Sequence, residues 1–294
     1  MTNEIKKDED TRTKILVCYY QPWELPKEDI FFPIQAGKAI SGFDLGIQGD
    51  DTDDNISAKN ATFSEFTAWY WGWKNIKFLY PNIEYIGLAH YRRFFALNGR
   101  FGEDIVYKRY IPKMKNYEQL IIQKLENNDI ILANQHTSKN NNLIAPYAEA
   151  HYVEDYICIK EIIHKIYPEY DGSFLHFFRE NNKISLYCIF IAKYELFDRY
   201  FAWLFPLLFE AEKQIDVSRY DSYQKRVLAF LAERLLNVYV YHNKLKVVYE
   251  PIYFIDKEKT IGSDIKSMLK KIIKFFIPYG IIKYYERLQK FRKQ

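Results

Sequence analysis

The chain has 294 residues and carries 42 Lys and Arg against 38 Asp and Glu. Its hydrophobic share of 48% and aromatic share of 18% supply a substantial core and exclude a wholly disordered protein. Its three cysteines, Cys18, Cys158 and Cys188, are widely spaced, which excludes a paired disulfide framework and a Cys-x-x-Cys metal motif. This cysteine usage predicts that the protein is located in the reducing cytoplasm.

The first predicted elements are a charged leader, a strand and a long loop. Residues 1–13 lack the apolar run of a signal peptide. The apolar segment KILVCYYQPW (14–23) predicts a buried strand that ends near Pro22. The segment GFDLGIQGDDTDDNISAKN (42–60) is rich in Gly, Asp and Asn, which indicates a loop with several turns.

A helix and a second strand follow. In FSEFTAWYWGWKNIK (63–77), apolar residues recur at spacings of three and four, which predicts an amphipathic helix with Ser64 as its cap. The run 85–89 predicts a buried strand that leads directly into His90, Tyr91, Arg92 and Arg93. Loop, helix, strand and cationic turn are therefore contiguous in the sequence.

The rest of the chain alternates predicted strands and helices. Strands are predicted at 129–135, 184–193 and 246–255, and long helices at 194–215 and 222–241. This mixture favours an α/β fold with a mostly parallel or mixed sheet.

The C-terminal segment is strongly basic. Between residues 264 and 294, nine Lys and Arg stand against two acidic residues and alternate with Ile, Phe, Leu and Tyr. This pattern predicts an amphipathic tail (261–294) that attaches reversibly to an anionic membrane surface. A terminal helix packed on the domain is the alternative, and the near-neutral charge of the whole chain disfavours nucleic-acid binding.

Four segments occur in a family-specific order: DDTDDNISAKN, SEFTAWYWGWKN, YIGLAHYRRFF and SRYDSYQKRVLAFLAERLLNV. Through these four segments the chain resembles a family of bacterial capsule, exopolysaccharide and lipopolysaccharide biosynthesis proteins that share a domain of uncharacterised function. The resemblance implies a GT-A-like (Rossmann-like) mixed sheet flanked by helices, forming one catalytic domain over residues 14–260.

That resemblance further implies an inverting glycosyltransferase that takes a hexosyl unit, galactofuranosyl or galactosyl being favoured, from a UDP-sugar. The acceptor would be a lipid-linked oligosaccharide or growing surface polysaccharide at the inner face of the cell membrane. A noncatalytic glycan- or membrane-binding component of a polysaccharide assembly complex is the alternative.

The implied donor site lies between Asp50 and Phe95. Arg92 and Arg93 would stabilise the leaving diphosphate, because a guanidinium is permanently charged and its planar fork matches phosphate oxygens. The other expected donor-binding residues are Asp51, Asp53, Asp54, Asn55, Lys59, Glu65, His90 and Tyr91.

Two arginines at the diphosphate would make catalysis independent of a metal, so no cofactor is expected. The alternative is Mg²⁺ or Mn²⁺ bound by the triplet from Asp51 to Asp53, because carboxylate oxygens suit these ions. Trp69 and Glu65, at i, i+4 spacing, could form an aromatic platform beside a carboxylate on the helix, and packing of Trp69 in the core is the competing interpretation.

Inverting transfer needs a general base that takes the proton from the acceptor hydroxyl. Asp221, before the predicted helix 222–241, is the first candidate and Glu233 the second; a simple helix cap is the competing interpretation of Asp221. His151 and Cys188 are the candidate acceptor contacts, and a surface or core histidine without a ligand is the competing interpretation of His151. At Cys188 the resembling proteins usually carry Asn, so this position bears on acceptor choice.

Overall fold

The computed structural model describes residues 8–98, 105–108, 111 and 113–256. The predicted basic tail and most of the charged leader lie outside these residues. The strands are β1 (Thr13–Tyr19), β2 (Phe31–Gln35), β3 (Gln48–Gly49), β4 (Tyr85–His90), β5 (Arg93–Phe95), β6 (Ile105–Lys108), β7 (Ile130–Ala133), β8 (Gln135–Thr137), β9 (Lys183–Ser185), β10 (Phe190–Lys193), β11 (Val247–Glu250) and β12 (Ile252–Asp256). The helices are α1 (Asn60–Phe63), α2 (Phe66–Leu79), α3 (Tyr117–Leu125), α4 (Ile144–Ala150), α5 (Val153–Ile166), α6 (Asp171–Arg179), α7 (Tyr194–Gln214) and α8 (Val227–His242).

Strand β1 lies in the middle of the main sheet and is buried at all seven positions. Because successive side chains of a strand point to opposite faces, Leu16 and Cys18 join the hydrophobic core on one face. Ile15 and Val17 join the core on the other face. A continuous apolar run, as in this segment, is what a strand covered on both faces requires.

The main sheet is mixed, with the strand order β11-β7-β10-β4-β1-β2-β3. All neighbours along this path pair in parallel except β10, which is antiparallel to both β4 and β7. Strand β5 is antiparallel to β4 and to β12, and β12 also pairs in parallel with β6. The expected α/β fold with a mixed sheet is confirmed.

Helices cover the two faces of the sheet unequally. Helices α2, α5, α6, α7 and α8 contribute to the core on the Leu16 face, whereas α3 contributes to the opposite core. Helix α2 approaches β1 closely at Gly72, where an added Cβ would collide with the Leu16 side chain. Trp73 stacks on Phe205 of α7 with a centroid separation of 5.4 Å, which fixes α2 against α7.

Several predicted boundaries were wrong. The predicted strand 184–193 is two strands, β9 and β10, and 246–255 is likewise divided into β11 and β12 around Pro251. Ser64 does not cap α2, because it has a φ of 50° and the helix begins after Glu65. Helix α8 begins at Val227 rather than near residue 222, and a short 3-10 turn precedes it.

Two further features bear on the sequence-based expectations. All three cysteines are free thiols. Among the described residues, no helix is long and apolar enough to cross a membrane.

Candidate functional site

The candidate site lies at one edge of the main sheet. Because β1, β2 and β4 are parallel, their carboxyl ends meet there, with Cys18 opposite His90 and Tyr19 opposite Gln35. Strand β10 is antiparallel to β4, so the residues just before Phe190 come to the same edge. In open α/β sheets, ligands bind outside the carboxyl ends of the strands.

The acidic loop (residues 50–55) is anchored at this edge by Asp50. This carboxylate is fully buried and accepts hydrogen bonds from the backbone N–H of Gly37 (2.8 Å), the N–H of Lys38 (3.0 Å) and Ser57 Oγ (2.5 Å). Gly37 has a φ of 66°, where an L side chain would be strained. Asp50 is therefore a structural residue that fixes the loop.

The other acids of the loop are exposed. Asp54 accepts a hydrogen bond from the Tyr70 hydroxyl (3.0 Å), which ties the loop to α2. Asp51 and Asp53 lie at the solvent-facing rim, and Asp53 has a φ of 50°. Within the described ranges no group of three or more His, Cys, Asp or Glu is arranged to hold a metal ion.

Two predicted donor-binding residues of this region have protein partners. Asn55 accepts a hydrogen bond from the Ser57 N–H (3.1 Å) and donates to the Asp53 carbonyl (3.0 Å). The Lys59 ammonium lies 2.8 Å from both carboxylate oxygens of Glu212 on α7. These contacts assign Asn55 and Lys59 a structural part in holding the loop.

A charged cluster lies near the carboxyl end of β4; it comprises Glu65, His90, Arg93, Arg226, Glu233 and Arg234. Arg226 donates from Nε to Ser64 Oγ (2.9 Å), and its Nη2 lies 3.5 Å from Glu65 Oε2. Burial raises the pKa of Glu65, while its own backbone N–H and the charges of Arg226 and Arg93 oppose that rise. The site thus holds a carboxylate between two guanidinium groups.

His90 lies on the buried side of the charged cluster. Burial, together with the charge of Arg93, lowers the pKa of His90 to about 3, so the ring is neutral at physiological pH. Its Nε2 lies 2.9 Å from the Tyr187 carbonyl oxygen, which identifies Nε2 as the protonated nitrogen. Trp69, the expected aromatic platform, is fully buried and packs 5.3 Å from the His90 ring, so that expectation was wrong.

The turn before β10 has a rare backbone conformation. Tyr187 and Cys188 have φ values of 74° and 51°, a region that costs non-glycine residues free energy. Glu233 holds this turn, because its Oε1 accepts the Tyr187 N–H at 2.7 Å, while its Oε2 accepts Arg234 Nη1 at 2.6 Å. The Tyr187 ring in turn lies 4.7 Å from the guanidinium carbon of Arg93.

This turn explains why the predicted strand 184–193 is broken. It also changes the interpretation of Cys188, which is only 3% exposed and offers no accessible surface to an acceptor. Asn adopts the left-handed conformation more readily than most residues. Asn, which the family resemblance leads one to expect at this position, would therefore suit the φ of 51° at Cys188.

The two predicted diphosphate ligands have different surroundings. Arg93 belongs to the charged cluster, whereas Arg92 lies over the rings of Trp23 and Tyr91, at 5.4 and 5.3 Å. Tyr91 is buried, accepts a hydrogen bond from Gln21 and donates one to Tyr20. The structure thus places Tyr91 in the core and Arg92 over aromatic rings.

The candidate bases also differ. Asp221 is exposed, and its Oδ1 accepts the Gln224 N–H (2.7 Å) at the start of the 3-10 turn before α8. Glu233 uses both carboxylate oxygens in the contacts described above. His151 lies beside this loop, with Nδ1 3.2 Å from Gln224 Oε1, and burial lowers the pKa of His151 to about 4.

The sequence-based reasoning missed Arg226, Tyr187 and Arg234. Arg226 and Arg234 both lie within the quoted segment SRYDSYQKRVLAFLAERLLNV, so the available signal was their position in that segment. Nothing in the local sequence of Tyr187 indicates its left-handed turn. All three reach the site through contacts between segments far apart in the chain.

Comparison with known proteins gives two matches. The domain of unknown function DUF4422 matches residues 14–244. The apo structure of the bifunctional glycosyltransferase WbbM superposes with a TM-score of 0.74 at 28% sequence identity. The match covers 84% of this chain and 46% of the WbbM chain, and the shared architecture is GT-A-like. No curated protein sequence matches significantly.

Proposed function

Because the chain belongs to the DUF4422 family, and 84% of it shares the fold of part of WbbM, we propose that it is a glycosyltransferase. It transfers a hexosyl unit, galactofuranosyl or galactosyl being favoured, from a UDP-sugar to a lipid-linked or growing surface glycan, with inversion. Attachment to the inner face of the membrane through residues 264–294 belongs to the same proposal.

The proposal rests on the surroundings of the Arg93 side chain. Its Nε is buried and, within the described part of the chain, has no hydrogen-bond partner. Because an unmade hydrogen bond at a buried donor is costly, the Arg93 guanidinium is poorly compensated, and an anionic ligand that reaches the partly exposed remainder of this side chain would be favoured. A nucleoside diphosphate would supply the oxygens, with Arg226 as a second cation nearby.

Catalysis follows from the same geometry. As the glycosidic bond to UDP breaks, negative charge grows on the diphosphate, and fixed guanidinium groups stabilise that charge without a metal. For a metal-dependent alternative, Asp51 and Asp53 at the exposed rim would supply carboxylates, and the donor phosphates would complete the coordination. We favour the metal-independent reaction.

Asp221 is the proposed general base. A base must reach the acceptor hydroxyl, and Asp221 is exposed, with only one carboxylate oxygen engaged by the described residues. The carboxylate of Glu233 is engaged through both oxygens, and that of Glu65 faces Arg226. Accessibility therefore distinguishes Asp221 from the other two carboxylates.

Calorimetric titration with UDP tests the proposal. We expect wild type to bind UDP and Arg93→Ala to bind it about 10- to 150-fold more weakly, as expected for loss of a charge-assisted hydrogen bond worth about 1.5–3 kcal/mol. Arg12→Ala is the matched control, because Arg12 pairs with Glu84 at the opposite edge of the sheet.

Transfer assays with a panel of UDP-sugars in EDTA complete the experiment. Sugar transfer that persists in EDTA supports the metal-independent reaction. UDP binding without transfer or hydrolysis of any donor would favour the noncatalytic glycan- or membrane-binding alternative. Equal UDP affinity in Arg93→Ala and Arg12→Ala would contradict the diphosphate assignment.

A further inference from the structure

A second surface adjoins the charged cluster and is rich in exposed aromatic side chains. It is formed by the turn after α4 and by the loop before α8. Tyr152 and Tyr220 stack at 4.3 Å with an interplanar angle of 19°, and Tyr152 remains 41% exposed. Exposed apolar side chains that cluster on one surface, unlike single exposed ones, can mark a ligand-binding site.

The second pair on this surface involves His151. Its ring stacks on Phe230 at 4.1 Å, and Tyr223 lies nearly parallel to it, 6.3 Å away, with 54% of Tyr223 exposed. We call the four residues His151, Tyr152, Tyr220 and Tyr223 the aromatic surface.

The two segments that carry the aromatic surface are tied together. Gln224 donates from Nε2 to the Ala150 carbonyl (2.8 Å), and the Tyr220 hydroxyl donates to Asp155 Oδ1 (2.7 Å). The rings are therefore held in place before any ligand arrives, which reduces the entropy lost on binding.

The aromatic surface is continuous with the donor site. Arg226, which contacts Ser64 and Glu65, also has its guanidinium carbon 5.6 Å from the Phe230 ring and 6.0 Å from the Tyr223 ring. The proposed base, Asp221, lies between Tyr220 and Tyr223 in the chain. A ligand stacked on these rings would place its hydroxyl groups beside that carboxylate.

We propose that the aromatic surface is the acceptor subsite and that it binds neutral sugar rings of a glycan. This inference rests on the proposed glycosyltransferase function. Sugar rings present C–H groups on their faces, which pack on aromatic rings, while their edges donate and accept hydrogen bonds. Gln224 and Asp221 supply polar groups at this edge.

A lipid surface fits less well. Exposed Asp221 and Glu154 stand beside exposed Arg219, so charges of both signs surround the rings. Attraction to an anionic membrane requires an excess of cations. Binding of neutral sugar rings requires no excess of cations.

Saturation-transfer NMR with a neutral galactosyl disaccharide tests the subsite, with UDP as an internal reference for the donor site. In wild type, the ring protons of the disaccharide receive saturation. In Tyr223→Ala, we expect the affinity for the disaccharide to fall about three- to tenfold, the range expected for loss of one stacked ring, with UDP binding within twofold of wild type.

Tyr241→Ala is the matched control, since Tyr241 is half exposed but stacks on His176, away from the aromatic surface. Disaccharide binding that is equal in Tyr223→Ala and Tyr241→Ala would overturn the acceptor subsite. Loss of binding to phosphatidylglycerol vesicles in Tyr223→Ala, with disaccharide binding intact, would overturn it in favour of a membrane contact. Failure of wild type to bind UDP would instead contradict the proposed function, independently of the disaccharide result.

Discussion

Glu233 provides a sharp test of the strained turn before β10. In Glu233→Ala, the Tyr187 N–H loses its acceptor and the Arg234 guanidinium, whose side chain is 14% exposed, loses its anionic partner. An unsatisfied buried donor costs about 1–3 kcal/mol. Arg234 keeps its hydrogen bond to the Phe230 carbonyl, so we expect the loss of its partner to add only about 1 kcal/mol. The expected total is about 3 kcal/mol of unfolding free energy.

Glu233→Gln separates the two contributions. The glutamine carbonyl can still accept the Tyr187 N–H, whereas its amide NH2 faces Arg234, so Arg234 loses both the negative charge and its hydrogen-bond acceptor on this side chain. We therefore expect a loss of about 1–2 kcal/mol, clearly less than in Glu233→Ala. Urea denaturation followed by tryptophan fluorescence measures both values. Glu161→Ala is the control, because the Glu161–Lys160 pair is exposed to solvent and contributes little to stability.

Two outcomes would refute this reasoning. If Glu233→Gln were as unstable as Glu233→Ala, the hydrogen bond to Tyr187 would not be what holds the turn. If Glu233→Ala were within about 0.5 kcal/mol of wild type, the turn would not depend on Glu233 at all.

Two further predictions concern proton transfer and pH. Asp221→Asn should lower kcat by about 10²–10⁴ while Glu233→Gln lowers it less than tenfold, as expected for removal of a general base; the reverse order in a donor-saturated transfer assay would identify Glu233 as the base. For His151, whose folded-state pKa is about 4 and whose unfolded-state pKa is about 6.5, the stabilising effect is complete above pH 6.5 and is lost as the pH falls towards 4. Burial raises the pKa of Asp155 to about 6, so its contribution to stability has the opposite pH dependence. Asp155 is present in both wild type and the variant His151→Gln. Because solvent screens the half-buried ring, the drop in unfolding free energy between pH 7 and pH 5 should be about 1 kcal/mol smaller in His151→Gln than in wild type, and equal drops in the two proteins would contradict a neutral His151 ring.

The sequence predicts those parts of the fold that depend on local patterns. Strands β1, β4 and β7 and helix α7 follow from apolar runs or helical spacing, and the mixed sheet follows from their alternation. The division into β9 and β10 could not be predicted, because ISLYCIFIAK contains no Gly, Pro or Asn to mark the turn. That turn depends on Glu233, which is 46 residues from Tyr187.

The candidate site shows the same limit. Glu65, His90 and Arg93 were expected near one another because they are contiguous in the motif, and the structure places them in one charged cluster. Arg226 joins them only through the tertiary fold, and its one sequence signal is its position in the segment SRYDSYQKRVLAFLAERLLNV. Lys59 illustrates the converse, because its charge suggests a ligand, while its partner Glu212 lies on a distant helix.

Asp50 stabilises the acidic loop, whereas other residues of the loop are available to contact a ligand. Its three buried hydrogen bonds hold the loop from within, whereas Asp51 and Asp53 at the rim face solvent. Exposed substitutions of this kind usually change stability by no more than about 0.5 kcal/mol. The rim can therefore vary by mutation with little effect on folding, so ligand preference can diverge there among proteins that keep the same scaffold.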